Sequence, residues 1–271
     1  MANILLTGAN GFAGKNLADY LKLKGYNILP LTRNDVDLEK TDYIEEFANN
    51  LLPNKIDTII HLAFKMASPK QTEYEQISVF NQNIIITQNL IKIAQIINPQ
   101  KLINFSSMAV YPNVDGNFDE NSVIKTSKNT DCMYGLAKFC AENMFDNYLN
   151  NVEITHLRIA QIFAEKMRSD RIIPIMKKEL EDSNQITVYG NGERESCFIS
   201  IKKLCETVEF FIKNNKPGIY NTGEFNISYY NLAKKTIEKY GNSNSKIIKV
   251  DKGSKSKFCL NLDKLNKLMY N

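Results

Sequence analysis

The stretch Ile4-Leu5-Leu6-Thr7-Gly8-Ala9-Asn10-Gly11-Phe12-Ala13-Gly14 decides the fold. Ile4–Leu6 reads as a short buried strand. Ala13, Leu17 and Leu21 then recur at helical spacing, and Gly25 marks the stop. Between strand and helix stand glycines at 8, 11 and 14. The first permits a tight turn, the second lets a pyrophosphate reach the backbone, and the third lets the helix pack close to the strand. The N–H groups of the helix N-terminus then face the phosphates. Gly8, Asn10, Gly11, Phe12, Ala13 and Gly14 are therefore candidate dinucleotide-binding residues.

The same alternation continues outward. Ile28–Leu31 reads as a second strand, with Pro30 predicting interrupted pairing. Ile44, Phe47 and Leu51 mark a short helix, and Asp57–Leu62 a third strand. Ile77 to Ile97 mark a long helix stopped before Pro99. Leu102–Phe105, a helix over Cys132–Leu149 and the strand Ile154–Ile159 follow. This order predicts an α/β fold, a Rossmann-type doubly wound parallel sheet. Beyond about residue 163 the pattern loosens into shorter elements: helices over Ile172–Leu180, Leu204–Ile212 and Leu232–Tyr240, and strands at Ile186–Tyr189 and Gly218–Asn221. The expected organisation is a dinucleotide-binding domain over 1–163 and a smaller substrate lobe over 164–271, with about 197–222 returning to the sheet.

Composition removes other classes. The 271 residues are 43% hydrophobic and 24% charged, with a net charge of +4, which fits a globular chain and predicts neither a nucleic-acid nor a membrane partner. No apolar run is long enough to span a bilayer, and the N-terminal stretch lacks the charged and long apolar regions of a signal peptide. Five scattered cysteines without a CxxC read as reduced thiols of a cytoplasmic protein. The two histidines, His61 and His156, cannot build the usual zinc constellations, so no metal is expected.

The end of the second strand bears on cofactor choice. It reads Leu31-Thr32-Arg33-Asn34-Asp35-Val36-Asp37-Leu38. An acid at the strand tip would bind the ribose hydroxyls of NAD, whereas an arginine accommodates a 2′-phosphate. Arg33 stands there and its guanidinium suits a phosphate. The reading favours NADP(H); Asp35 keeps NAD(H) open. Further along, Tyr134 and Lys138 form a YxxxK on a predicted helix, where i and i+4 share a face. A neighbouring ammonium stabilises phenolate and lowers a pKa that is otherwise about 10, which makes Tyr134 a usable general acid or base. Ser107, at the C-terminal end of a parallel strand, points where ligands bind in such folds and can hydrogen-bond a substrate oxygen.

Here the chain resembles the extended short-chain dehydrogenase/reductases, the NAD-dependent epimerase/dehydratase group. The resemblance rests on TGANGFAG at 7–14, HLAF at 61–64, FSSMAVY at 105–111, YGLAK at 134–138, LRIAQIF at 157–163, VYGNGER at 188–194 and YNTGE at 220–224. It implies Ser107, Tyr134 and Lys138 as catalytic triad, with Tyr134 and Lys138 also touching the cofactor. It implies Asp37 and Leu38 beside the adenine, and Leu62, Ala63 and Phe64 along ribose and phosphates. Ser107, Met108, Gln161 and Arg194 would face the substrate, a nucleotide-diphosphate sugar. Two positions depart from the family: Ile86 replaces a frequent glycine, and Ser196 replaces a frequent phosphate-binding arginine.

Within the family, dehydratases carry an Asp-Glu pair just after the active hydroxyl. Met108 and Ala109 stand there and cannot transfer protons. The Cys and His of the C3/C5 epimerase-reductases are missing as well. The segment at 31–38 nevertheless looks most like the 4-ketosugar reductases, the GDP-fucose synthase and dTDP-4-dehydrorhamnose reductase groups. The resulting expectation is an NAD(P)H-dependent ketosugar reductase. A C4 epimerase with retained NAD and a non-catalytic dinucleotide sensor are the alternatives. Surplus apolar residues on the long helix, together with the family's dimers, predict a homodimer.

Overall fold

The computed structural model describes residues 2–67, 71–126 and 131–270. In chain order the elements begin with β1 (Asn3–Thr7), α1 (Phe12–Leu23), β2 (Asn27–Leu31), α2 (Ile44–Leu51), β3 (Thr58–His61), α3 (Glu73–Ile97) and β4 (Lys101–Ser107). They continue with β5 (Gly116–Phe118), α4 (Cys132–Tyr148), β6 (Glu153–Ile159), β7 (Gln161–Phe163), α5 (Ile172–Ser183), β8 (Gln185–Tyr189) and β9 (Glu195–Ser200). They end with α6 (Ile201–Lys213), β10 (Gly218–Thr222), β11 (Phe225–Ser228), α7 (Tyr229–Tyr240), β12 (Lys246–Val250), β13 (Phe258–Leu260) and α8 (Asp263–Tyr270). These residues divide into two compact units. The first lies within 1–112, 123–159 and 205–220, the second within 113–122, 160–204 and 221–271.

The first unit carries a sheet in the order β10-β6-β4-β3-β1-β2, with parallel pairing from β2 through to β6. Ile4, Leu5 and Leu6 are all almost fully buried, so both faces of β1 are covered, as the unbroken apolar run predicts. The interruption expected at Pro30 does not occur. β2 pairs with β1 in unbroken register from Asn3↔Asn27 to Thr7↔Leu31, including Leu6↔Pro30. β2 is the edge strand, and an edge strand can lack a donor on its outer side. α3 starts on a reciprocal capping box between Thr72 and Glu75 and ends with Asn98 in the left-handed region, just before Pro99. Its Ile86, Leu90 and Ile93 join Leu5, Ile59, Leu102 and Phe145 of α4 in one core. Ile86, where the family often has glycine, fills part of that core.

The second unit is built from shorter pieces. β7, β9 and β11 form one small sheet, β8 pairs with β12, and β5 pairs with β13. Its own core gathers Met176 and Leu180 of α5, Ile186 and Val188 of β8, Phe198, Ile227, and Leu232 and Ala233 of α7. Among the described residues no helix is long and apolar enough to cross a membrane, and no group of His, Cys, Asp or Glu is arranged to hold a metal ion.

Candidate active site

The glycine loop makes a cradle at the C-terminal end of β1. Gly8 has φ of +69°, and a Cβ there would stand 2.8 Å from the Ala63 nitrogen. A Cβ on Gly14 would collide with the Gly8 carbonyl oxygen. Gly11 N donates to Gly8 O at 3.0 Å and closes the turn. Gly11 then serves as the extended N-cap of α1, with no side chain capping the first turn. The first-turn N–H groups are left for a ligand, which suits a pyrophosphate. The cradle therefore fits the dinucleotide expected from the loop.

The end of β2 is more occupied than its sequence suggests. Arg33 Nη2 meets Glu39 Oε1 at 2.6 Å, and Lys65 Nζ meets the other oxygen, Oε2, at 2.8 Å. Two cations thus share one carboxylate, and Arg33 is largely exposed. Asp35 accepts from Thr32 N and Oγ1, closing its own turn, and Asp37 accepts from Glu39 N. The Leu38 side chain is buried in the core and its carbonyl accepts from Asn89 Nδ2. Asn83 of α3 holds the chain after β3 by bonds to both Lys65 N and Lys65 O.

Beneath the loop a polar row crosses four strands. Thr7, His61, Asn104 and His156 are lateral partners on β1, β3, β4 and β6. Thr7 Oγ1 accepts from Leu62 N and Ala63 N at 3.1 and 3.0 Å. Its proton is therefore assigned to His61 Nδ1, 2.8 Å away. Asn104 Nδ2 lies 3.0 Å from His156 Nδ1, and His156 Nε2 lies 3.0 Å from Asp146 Oδ1. His61 Nε2 and Asn104 Oδ1 are buried without a partner among the described residues. Burial, and next the Lys138 ammonium, push the His61 pKa down to about 3.

The first residues of α4 meet the end of β4. Ser107 caps the short turn Met108–Val110, its Oγ accepting from Ala109 N at 3.1 Å. Met108 is half-buried in that turn. Gly135 lies so close to the turn that a Cβ would collide with Ala109 O. Tyr134 precedes Gly135 in the chain, and Ser107 caps the turn that Gly135 abuts. Lys138 is buried one turn further on, and its Nζ donates to Phe105 O at 2.5 Å. The ammonium lies 3.7 Å from the Phe64 ring centroid and 5.7 Å from that of Tyr134. Phe64 meets the Tyr134 ring edge-on, centroids 5.6 Å apart. Burial lowers the Lys138 pKa to about 7, and Glu142 opposes that shift. A neighbouring ammonium favours the ionised form of a phenol.

The second unit gathers the other expected residues. Gln161 Nε2 donates to Ser196 Oγ at 2.8 Å and lies 3.5 Å from Tyr229 Oη. The Arg194 guanidinium stands 5.1 Å from the Tyr229 ring centroid, and Arg194 O accepts from Tyr229 N at 2.8 Å. Sequence reasoning missed Glu39, Asn83, Gly135 and the buried Glu142–Arg158 pair. The i+4 step from Lys138 to Glu142 was the readable signal for the last of these.

The sequence model of the NAD dependent epimerase/dehydratase family matches residues 4–223. The chain is 26% identical over 272 residues to a dTDP-D-glucose 4,6-dehydratase of Dictyostelium discoideum, covering 86% of this chain but only 61% of that relative's length. It is 24% identical over 257 residues to a GDP-L-colitose synthase of Yersinia pseudotuberculosis, covering 86% and 82%. Among solved structures, a UDP-N-acetylglucosamine 4-epimerase from Bacillus cereus superposes with a TM-score of 0.80 at 24% identity, over 99% of this chain and 90% of the other. A UDP-glucuronic acid 4-epimerase from Bacillus cereus, in complex with UDP-glucuronic acid and NAD, superposes at 0.78 with 21% identity, over 98% and 92%.

Proposed function

The chain belongs to the NAD dependent epimerase/dehydratase family, and from that premise we propose that it is an NAD(P)H-dependent reductase of a nucleotide-linked keto-sugar. The observation that carries the reading is Tyr134 beside the buried Lys138 ammonium, on a helix docked through Gly135 against the turn that Ser107 caps. The nicotinamide cofactor supplies the hydride when bound. Ser107 donates a hydrogen bond to the ketone oxygen, and Tyr134 delivers the proton to it as the alcohol forms. Lys138 stabilises the phenolate left behind and anchors the cofactor ribose. Met108 and Ala109 supply no acid or base for elimination, which weighs against a dehydratase.

On the cofactor side the cradle of Gly8, Asn10, Gly11, Phe12, Ala13 and Gly14 takes the pyrophosphate. Leu62, Ala63 and Phe64 line its course, Asp37 and Leu38 flank the adenine, and Arg33 with Lys65 favours the 2′-phosphate of NADP(H). Gln161 and Arg194 bind the sugar nucleotide in a cytoplasmic homodimer. A second reading, a C4 epimerase with retained NAD, draws support from Glu39: a 2′-phosphate must displace its carboxylate from Arg33.

Tyr134→Phe tests the assignment. It is expected to keep NADPH affinity within about twofold and lower turnover by about 10²-fold or more, because it removes one proton and little shape. Unchanged turnover of the dTDP-, GDP- and UDP-linked 4-ketosugars would end the acid assignment. Purified protein carrying tightly bound NAD(H) in its absorption spectrum would favour the epimerase.

A further inference from the structure

One stripe of α4 reads the end of β4 residue by residue. Lys138 Nζ donates to Phe105 O, and one turn later Glu142 Oε1 accepts from Ser106 Oγ at 2.5 Å. Gly135 abuts Ala109 O. Ser107 lies between these anchors. Glu142 is gripped from a second strand as well. Arg158 is the lateral partner of Ser106 in the sheet, and its Nε and Nη2 donate to the two Glu142 oxygens at 3.1 and 2.8 Å. Arg158 Nη1 donates in turn to Tyr111 Oη at 2.9 Å. Ser106, Tyr111, Glu142 and Arg158 are all essentially excluded from solvent. A buried ion pair stabilises a fold no better than packed apolar residues of its size. Stability alone therefore gives no reason to keep the Glu142–Arg158 pair in place of an apolar one, although either partner left alone would be destabilising.

We infer that Glu142 is a positioning residue of the proposed reaction: fixed by Ser106 and Arg158, it locks α4 against the end of β4 and presents its carboxylate one turn beyond Lys138, on the helix that carries Tyr134. The inference rests on the reading of Tyr134 and Lys138 as the proton-delivering pair. The titratable groups that face Lys138 are Tyr134 and Glu142 on its own helix and His61 on β3. Those that face Glu142 are Lys138 and Arg158, with Tyr111 behind the arginine. Burial pulls Lys138 down towards deprotonation, and Glu142 is the charge that resists it. Tyr134, Lys138 and Glu142 stand at i, i+4 and i+8 along one face of α4.

The test follows the protonation of Lys138 directly, by ¹³Cε NMR on lysine-labelled full-length protein, with the signal identified by its loss in Lys138→Met. Glu142→Gln keeps the shape and removes the charge. The Lys138 midpoint is expected to fall by about one pH unit or more, which near neutrality lowers the protonated fraction about fivefold. Because Glu142→Gln strands the buried Arg158, Glu142→Gln/Arg158→Met is measured beside it. A merely structural role predicts a wild-type midpoint in the refolded double variant, whereas loss of the field predicts that the midpoint stays lowered. A midpoint unchanged in a folded variant overturns the inference. Failure of both variants to fold overturns it too, by making Glu142 a folding determinant. Turnover is recorded separately with NADPH and the nucleotide-linked 4-ketosugars. Its absence in the wild type would overturn the proposed reaction and leave the lysine titration standing.

Discussion

In the proposed reading, the choice between NADPH and NADH falls to Arg33, Glu39 and Lys65. Glu39 holds both cations, so a 2′-phosphate gains two charge-assisted contacts only by displacing a carboxylate. Arg33→Ala is expected to weaken NADPH more than NADH. Glu39→Gln is expected to do the reverse, tightening NADPH by about two- to fivefold, because exposed pairs are worth up to about 1 kcal/mol. Fluorescence titration of both nucleotides against both variants checks this, and equal changes for the two nucleotides would remove Arg33 from 2′-phosphate recognition. The sequence made Arg33 visible because it occupies the strand tip. Glu39 escaped notice because the loop from Thr32 folds back through the Asp35 and Asp37 turns, and nothing in the spacing announces that return. Tyr134 and Lys138 were legible for the opposite reason: their i, i+4 spacing lies within one helix. The Glu142–Arg158 contact joins a helix to a later strand, so only half of it has a local signature.

At the scale of elements, the central strands were legible because each is largely buried and contains a short apolar stretch, such as Ile4–Leu6 in β1 and Ile59–Ile60 in β3. β5, β7, β11 and β13 were not. Each has only three or four residues, and their partners lie far away in sequence, as in Phe258↔Gly116. A segment that short owes its extended form to the neighbour more than to its own residues. The polar row across β1, β3, β4 and β6 was equally hidden, since it appears only when the register is known. It has an energetic signature. His61 ordinarily titrates near 6.5, and in the fold it is held down at about 3. Its neutral form therefore adds stability above pH 6.5 that is lost as pH falls towards 3, at about 1.4 kcal/mol per pH unit for one proton. Urea unfolding of the wild type between pH 6 and 5 is expected to show this slope, and His61→Asn to flatten it. Equal slopes in the two proteins would mean that His61 is not the group taking up the proton.

For the whole molecule the open question is assembly, and α3 carries the argument. A helix that packs on one side of a sheet needs one apolar stripe. α3 spends Ile86, Leu90 and Ile93 on the core yet also carries Ile77, about half exposed, and the strongly exposed Tyr74. Ile84 and Ile85 are only partly buried. α4 adds the half-buried Phe139 and the exposed Tyr148. Leaving this much apolar surface in water costs about 25 cal/mol per Å², which a two-fold pairing of the same face on two chains would recover. The paired helix would be the one that carries Tyr134, so assembly would also brace the proposed acid. Sedimentation at micromolar concentration is expected to give twice the 31.0 kDa chain mass. Ile77→Glu, which buries a charge in the pair but sits harmlessly on an isolated chain, is expected to return the species to 31.0 kDa with its melting temperature little changed at high dilution. A wild-type protein that sediments only at the single-chain mass would remove the dimer, and with it the bracing of α4 by a second chain.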